Sequence, residues 1–196
     1  MAVIRLADVG DARAIAEIYA PYVTEAATSF EASPPDDAEM ARRLASTLAY
    51  APWLVCVIDG EVAGYAYASR HHERAAYRWA VDASVYLGAR HHRRGIGRGL
   101  YTSLFALLRL QGFYSAYAGI ALPNPASVGL HEAFGFQPVG VYTAVGFKHG
   151  RWHDVGWWQL PLRERTGEPA PPLSIAEARA VDGWDAAIAC GSSLIA

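Results

Sequence analysis

The sequence predicts an α/β (α+β) fold: a mixed, mostly antiparallel sheet with helices on both faces. Two observations support this fold class. Apolar runs over residues 53–58 and 62–69 flank Asp59-Gly60, a dipeptide typical of a two-residue hairpin turn. A strand over residues 79–87, rich in Val, Ala and Tyr, is followed by a helical pattern over residues 99–111. A hairpin combined with strands that alternate with helices indicates a mixed sheet covered by helices.

The other elements follow from capping residues and apolar spacing. Residues 2–6 predict a first strand, and residues 8–11 supply caps for a helix in which Pro21 allows a kink or a break. Residues 34–37 begin a helix with an apolar face at Met40, Leu44 and Leu48. Later come a strand over 114–120, a short helix over 125–134 closed by Gly135, and strands around 137–145 and 154–162.

The composition of the chain changes near residue 167, where the segment GEPAPP begins. Such a segment is typical of a stiff, extended linker. We therefore predict one domain over residues 1–166, followed over residues 167–196 by a Pro-rich linker and a C-terminal tail of unknown role. Residues 174–189 predict a short helix in that tail.

Composition and charge exclude several classes of protein. With 196 residues, 53% of them hydrophobic and 12% aromatic, the chain can bury a sizeable core and is not disordered. A net charge of −2 gives no electrostatic case for nucleic acid or an anionic membrane, so we expect a small-molecule partner. Cys56 and Cys190 do not form a disulfide framework, and we find no secretory or membrane-spanning pattern. We expect a cytoplasmic protein.

The segment RRGIGRG, residues 93–99, joins the strand over 79–87 to the helix that follows it. Gly95 and Gly97 can adopt positive φ, so that backbone N–H groups converge at the positive end of the helix dipole, where a pyrophosphate would bind. The segment is not a Walker A loop, because no Gly-Lys-Ser/Thr follows, and it lacks the full dinucleotide fingerprint. On its own, such a short segment also fits a solvated basic turn.

Eight segments together resemble the GNAT-type N-acetyltransferases, and more narrowly the phosphinothricin and methionine sulfoximine acetyltransferases. The resemblance extends from the first strand to Leu162 and excludes the tail. The segments are YAPYV at Tyr19, SFE at Ser29, PWLV at Pro52, RAAYRW at Arg74, SVYL at Ser84, RRGIGRGLYT at Arg93, LPNPASVGLHEAFGF at Leu122 and GFKHGRWHDVGWWQ at Gly146.

The resemblance implies an acetyl-CoA site at a splayed central pair of strands. One departure is His92, which stands where many relatives have Gln or Arg, so we expect weaker or pH-sensitive phosphate contact there. The resemblance also implies a homodimer, consistent with the aromatic residues Trp152, Trp157 and Trp158. The implied cofactor-binding residues are Val85, Tyr86 and Leu87 for the acetyl and pantetheine portions, Arg93, Arg94, Gly95, Ile96, Gly97 and Arg98 for the pyrophosphate, and Asn124.

Two residues are candidates for proton transfer. Asp82 stands where the resembling enzymes have Glu, so we expect it to take the amine proton, through a bridging water because its side chain is one methylene shorter. A strand carboxylate that pairs with an arginine is the alternative. His131 stands where many GNAT enzymes have a tyrosine that protonates the leaving thiolate. A helix histidine bonded to a backbone carbonyl is the alternative for His131.

The resemblance also implies an acceptor pocket. An amino acid with an oxygen-rich side group calls for cationic and hydroxyl donors. Phe30 and Tyr101 could instead pack in the core, Tyr77 could pack across strands, and Arg74 could be a solvated loop charge. His72 stands where a relative has Lys. The implied pocket residues are Phe30, His72, Arg74, Tyr77 and Tyr101.

These observations predict an acetyl-CoA-dependent N-acetyltransferase for an amino acid or analogue, working by direct attack in a ternary complex. Backbone N–H groups near Val85 and Leu87 would stabilise the oxyanion. Two alternatives remain open: another amine acceptor, such as a polyamine, an aminoglycoside or a protein N-terminus, and a catalytically silent acyl-CoA-binding module. We predict no metal, because the adjacent pairs His71-His72 and His91-His92 diverge on extended backbone.

Overall fold

One mixed sheet of seven strands organises the computed structural model, which describes residues 2–196. The strand order is β1-β2-β3-β4-β5-β7-β6, and neighbouring strands are antiparallel except for β4 and β5. This arrangement confirms the predicted fold class. The strands are β1 (Ala2–Leu6), β2 (Trp53–Ile58), β3 (Glu61–Arg70), β4 (Ala80–Leu87), β5 (Ser115–Leu122), β6 (Gln137–Lys148) and β7 (Arg151–Pro161).

Helices cover both faces of this sheet. Trp53 and Val55 of β2 pack with the helices on one face, and Leu54 and Cys56 pack with those on the other, because successive strand residues point in opposite directions. The first face carries α1 (Ala12–Thr24) and α2 (Asp37–Leu48), and the second carries α3 (Ile96–Gln111). The remaining α-helices of the described residues are α4 (Pro125–Ala133), α5 (Ile175–Ala178) and α6 (Trp184–Ala189).

The structure differs from the predicted helices at three positions. Helix α1 continues through Pro21, whose carbonyl accepts a hydrogen bond from Glu25 N–H at 2.9 Å. Helix α3 begins at Ile96 rather than Gly99, because Gly95 adopts φ 79° and forms its N-cap. The single helix predicted over residues 174–189 is instead two short helices, since Gly183 turns the chain with φ 91°.

Strands β4 and β5 separate after a short parallel ladder. Residues 80–82 pair with residues 115–117, and no pairing continues beyond Asp82 and Tyr117 within the described chain. Strand β3 remains paired to β4 through Leu87, where Gly88 N–H donates to Ala63 O at 2.9 Å. Because successive N–H groups alternate in direction, those of Val85 and Leu87 point into the gap beside β5. The predicted splayed pair is therefore confirmed.

Residues 167–196 pack onto the domain rather than away from it. Ile175, Ala178, Trp184 and Ala187 belong to the apolar core that α3 forms with the sheet. Ser103 in α3 donates a hydrogen bond to Ile188 O at 2.6 Å. The tail thus forms a layer against α3.

Candidate active site

A cavity of about 300 Å³ opens beside the gap on the α1 side of the sheet, and we call it the outer cavity. Asp82 and Ser84 reach it from β4, and Thr28 and Phe30 reach it from the segment between α1 and α2. Trp157 reaches it because β7, not β6, lies beside β5 and pairs Trp157 with Gly119. The full lining is Thr28, Phe30, Ser69, Asp82, Ala83, Ser84, Gly119, Ala121, Val155 and Trp157.

Asp82 is the carboxylate of the outer cavity. Its Oδ1 lies 2.7 Å from Nδ1 of His71, so its partner is a histidine and not an arginine. Burial raises the pKa of Asp82, while the hydrogen bond from His71 and the charges of His71 and His72 oppose that shift. A carboxyl with a raised pKa is a better proton acceptor than an exposed aspartate.

A second, smaller cavity of about 60 Å³ lies in the gap itself, and we call it the inner cavity. It shares Thr28, Ala83 and Ser84 with the outer cavity, so the two meet at the gap. The inner cavity continues to the opposite face of the sheet. The rest of its lining is Val85, Tyr86, Tyr101, Ala118, Gly119, Ile120, Ala121, Asn124, Ser127 and His131.

His131 is buried in the wall of the inner cavity. Its Nδ1 lies 2.8 Å from Ser127 O, and its Nε2 lies 3.0 Å from Tyr101 Oη. Since a carbonyl can only accept, Nδ1 carries the hydrogen and the neutral ring accepts the Tyr101 O–H at Nε2. Burial lowers the pKa of His131, which keeps this ring neutral near pH 7, and burial also raises the pKa of Tyr101. A histidine bonded to a backbone carbonyl was the alternative to a catalytic His131, and the bond to Ser127 O matches it. The His131 ring nevertheless also faces the inner cavity.

The segment before α3 is left-handed at only one of the two glycines expected to be so, because Gly97 lies within helix α3 and has no positive φ. Arg93 has φ 61° and Gly95 has φ 79°. Arg94, however, donates to Ala196 O at 3.2 Å, and a Cβ at Gly95 would collide with Leu194 O, so the tail lies against this loop. His92 contacts the protein through Nε2, 3.4 Å from Tyr22 Oη.

Asn124 and Leu87 also have partners within the protein. The Asn124 side chain caps α4 by accepting Ser127 N–H at 3.1 Å. Tyr22 Oη donates to Leu87 O at 2.8 Å and accepts a hydrogen bond from Leu87 N–H at 3.4 Å. Tyr22 therefore fixes the end of β4 at the mouth of the gap.

The structure does not bring the five predicted acceptor residues together. Phe30 lines the outer cavity, whereas His72, Arg74 and Tyr77 lie exposed in the segment between β3 and β4 and outside that lining. Tyr101 lies in the inner cavity, because α3 packs on the face of the sheet opposite Asp82.

Sequence reasoning missed the site positions of His71, Thr28 and Lys148. It placed Trp157 and Trp158 at a dimer surface, whereas Trp157 lines the outer cavity and Trp158 is buried. Lys148 Nζ donates to the carbonyls of Ser29 at 2.6 Å and Glu31 at 3.0 Å, which holds the segment carrying Thr28. The lysine of the GFKHG segment has no partner that the sequence identifies. In the sequence, His71 is only one half of an adjacent histidine pair.

Residues 2–196 contain no cluster of three or more His, Cys, Asp or Glu side chains placed to hold a metal ion. Over the same residues, every helix is too short or too polar to traverse a bilayer.

A family model described as an acetyltransferase (GNAT) domain matches residues 4–157. The chain belongs to the GNAT acetyltransferases. This acetyltransferase is 42% identical over 172 residues to the phosphinothricin N-acetyltransferase of Streptomyces viridochromogenes, covering 88% of this chain and 92% of the relative. It is 36% identical over 168 residues to the L-methionine sulfoximine/L-methionine sulfone acetyltransferase of Salmonella typhimurium, covering 85% and 98%.

A solved structure extends this likeness to three dimensions. A GNAT superfamily phosphinothricin acetyltransferase from Sinorhizobium meliloti, in complex with acetyl-CoA, matches with a TM-score of 0.83 and 40% identity, covering 86% of this acetyltransferase and 93% of that chain. The predicted family is therefore confirmed, and the two cavities are candidate sites of an acyltransferase.

Proposed function

We propose that this acetyltransferase transfers the acetyl group of acetyl-CoA to the amino group of an amino acid or analogue such as phosphinothricin or methionine sulfoximine or sulfone. One observation carries the proposal: Asp82 lines the outer cavity while His131 lines the inner cavity, and the two cavities meet at the gap between β4 and β5. The relatives named for these substrates, at 36% and 42% identity, support the acceptor class.

The chain offers groups that fit acetyl-CoA. The N–H groups of Val85 and Leu87 point into the gap, and the N-terminus of the 16-residue helix α3 follows the left-handed Gly95. Bound acetyl-CoA would supply the acetyl thioester. Val85 N–H would then donate a hydrogen bond to its carbonyl oxygen, the end of β4 at Leu87 would meet the pantetheine portion, and residues 95–98 would hold the pyrophosphate.

The outer cavity supplies the hydroxyl donors that such an acceptor calls for, although its lining contains no cationic side chain. Phe30 and Trp157 offer aromatic surface, and Thr28, Ser69 and Ser84 offer hydroxyl donors for an oxygen-bearing side group. Asp82 is the one acidic residue of the lining. A polyamine or an aminoglycoside carries several positive charges and calls for more carboxylates than this cavity presents.

Asp82 acts on the acceptor. Its ionised carboxylate accepts a proton from the ammonium group, directly or through a water, and leaves a neutral amine able to attack in the ternary complex. On the opposite face, Tyr101 Oη holds a proton that His131 Nε2 accepts as a hydrogen bond. We therefore assign the acid on the leaving side to the His131–Tyr101 pair rather than to His131 alone.

We further propose that the protein is a homodimer. Strand β6 is an edge strand whose apolar side chains are exposed, with Val141 at 53%, Tyr142 at 58% and Phe147 at 62%. An exposed apolar edge of this kind favours pairing with another chain. A second copy of the chain would pair with the β6 edge and cover its apolar side chains. Light scattering should therefore give twice the mass of 21.2 kDa, and Val141→Asp should yield monomer. A wild-type monomer would refute the dimer.

The deciding experiment is release of CoA thiol, followed with a thiol-reactive dye. Acetyl-CoA is offered with phosphinothricin, methionine sulfone, methionine sulfoximine, spermidine and an aminoglycoside. Turnover of the first three alone supports the proposal. Turnover of the cationic amines alone retains the enzyme class and refutes the acceptor, and tight acetyl-CoA binding without thiol release on any amine favours a silent binding module.

A further inference from the structure

We propose that His71 is a positioning residue of the active site: its Nδ1–H holds Oδ1 of Asp82 and leaves Oδ2 for the acceptor amine. The inference rests on the proposed function, because it concerns the carboxylate that we assign as base. The 2.7 Å distance between Nδ1 and Oδ1 carries it.

The register of the sheet brings the two residues together. Strands β3 and β4 pair through Ser69 with Asp82 and Arg70 with Val81. His71 follows at the end of this ladder, and its side chain turns back to Asp82. Without this partner the Asp82 side chain could occupy other staggered rotamers, whereas the bonded carboxylate is held in one orientation.

Aromatic rings hold the imidazole of His71 in place. It stacks on Tyr117 with ring centroids 4.3 Å apart and an interplanar angle of 13°. The edges of Trp157 and His72 lie against it at 5.9 Å and 4.6 Å. Trp157 also lines the outer cavity, so the packing that fixes His71 belongs to the acceptor pocket. A ring held this way offers its N–H in a fixed direction.

The hydrogen-bond inventory fixes the direction of the bond. An ionised carboxylate only accepts, so Nδ1 of His71 carries the hydrogen whether or not Nε2 is protonated. Among residues 2–196, Oδ2 of Asp82 and Nε2 of His71 have no hydrogen-bond partner within the protein. The amine therefore meets the oxygen that His71 leaves open.

His71 also keeps Asp82 ionised. Burial raises the pKa of Asp82, and His71 is the largest opposing influence. The other titratable groups that face the pair are His72 and Tyr77 from the β3–β4 segment, Tyr67 from β3 and Tyr117 from β5. None of the four donates a hydrogen bond to the Asp82 carboxylate in the described chain, so removing His71 leaves burial largely unopposed.

The test compares His71→Phe with His71→Asn, whose side-chain amide can replace Nδ1 as a donor. We expect His71→Phe to move the acid limb of kcat/KM upward by about one pH unit, a loss of about tenfold below that limb. We also expect kcat to fall on the plateau above the limb, because the carboxylate is no longer held in one orientation. His71→Asn should restore most of the wild-type profile. A uniform loss at every pH, equal in both variants, would show that His71 is only packing and overturn the proposal.

A second readout needs no substrate. The ¹³C chemical shift of the Asp82 carboxyl is titrated in the ligand-free protein, with thermal unfolding as a check that each variant is folded. An Asp82 midpoint that rises in His71→Phe and returns in His71→Asn supports the pairing even if the wild type acetylates none of the amino acids, an outcome that refutes only the proposed function. An unchanged midpoint in His71→Phe overturns the pairing whatever the activity.

Discussion

Asp82 and His131 lie on opposite faces of the sheet, on the two sides of the gap between β4 and β5, and burial acts on both. It raises the pKa of Asp82 and lowers that of His131, which favours the neutral form in each case. Their partners differ. Asp82 has His71, which favours the ionised carboxylate, whereas His131 has a carbonyl and a tyrosine hydroxyl, which suit a neutral imidazole. This difference supports our proposal that the outer side accepts a proton while the inner side holds its proton in a neutral pair.

The strongest test of this difference is Asp82→Asn. We expect kcat to fall by about 100- to 10,000-fold, because general base catalysis is lost while the shape of the cavity stays. Thiol release with the best amine of the panel measures it. Asp185→Asn, on the exposed face of α6, is the matched control and should retain wild-type activity.

The same variant should not destabilise the fold at neutral pH. Burial raises the pKa of Asp82 in the folded protein, so this carboxyl ionises more easily in the unfolded chain. The free energy of unfolding therefore falls as pH rises through the folded pKa. Asparagine cannot ionise, so the melting temperature of Asp82→Asn should equal or exceed that of the wild type at pH 7. A melting temperature well below the wild type would mean that Asp82 is structural.

The inner side predicts a smaller, shared loss. Tyr101→Phe and His131→Phe should each lower kcat by about 100-fold, and the double variant should lose little more, because the two groups act as one hydrogen-bonded unit. Single-turnover measurements at saturating acetyl-CoA give these rates. Losses that multiply in the double variant would show that the residues act separately.

Secondary structure and the segments that resemble the family can be predicted from the sequence. Contacts that depend on strand register or strand order cannot. Asp59-Gly60 specifies its hairpin locally, with φ 52° and 86°. Asp82 can be placed because it lies between the resembling segments RAAYRW and SVYL, and His131 because it lies within LPNPASVGLHEAFGF. His71 meets Asp82 only through the β3–β4 register, and Trp157 reaches the outer cavity only because β7 lies between β5 and β6. No spacing along the chain encodes those contacts.

The pH dependence of the wild type sharpens the comparison further. As the proposed base, Asp82 has to be ionised, so kcat/KM should fall as pH drops through its pKa, at a pH above the ordinary aspartate value of about 3.9. Burial lowers the pKa of His131, so this ring stays neutral as pH falls from 7. His131 should therefore add no limb to the kcat/KM profile above the ordinary histidine pKa of about 6.5. Each pH unit below the Asp82 limb should cost about tenfold. A limb that persists in Asp82→Asn would have to be assigned to another group.

The smallest expected effect comes from the tail, which lies against the loop on the inner side. Gly191 packs on the backbone of Gly99, and a Cβ there would collide with Gly99 O, so Gly191→Ala should loosen the tail from α3. Arg94 and Gly95 would lose their neighbours Ala196 and Leu194. We expect KM for acetyl-CoA to rise about fivefold, equivalent to ~1 kcal/mol, with kcat nearly unchanged.

Hydrogen exchange of residues 184–196 reports whether the tail has loosened in Gly191→Ala. Ser193→Ala, at an exposed position of the same segment, is its matched control and should leave exchange and KM at wild-type values. Faster exchange with an unchanged KM would mean that the tail stabilises α3 without acting on the loop. A raised KM for acetyl-CoA together with faster exchange would show that the tail contributes to cofactor binding on the inner side. The pH profile of kcat/KM, which we assign to Asp82 and His71 on the outer side, should not change.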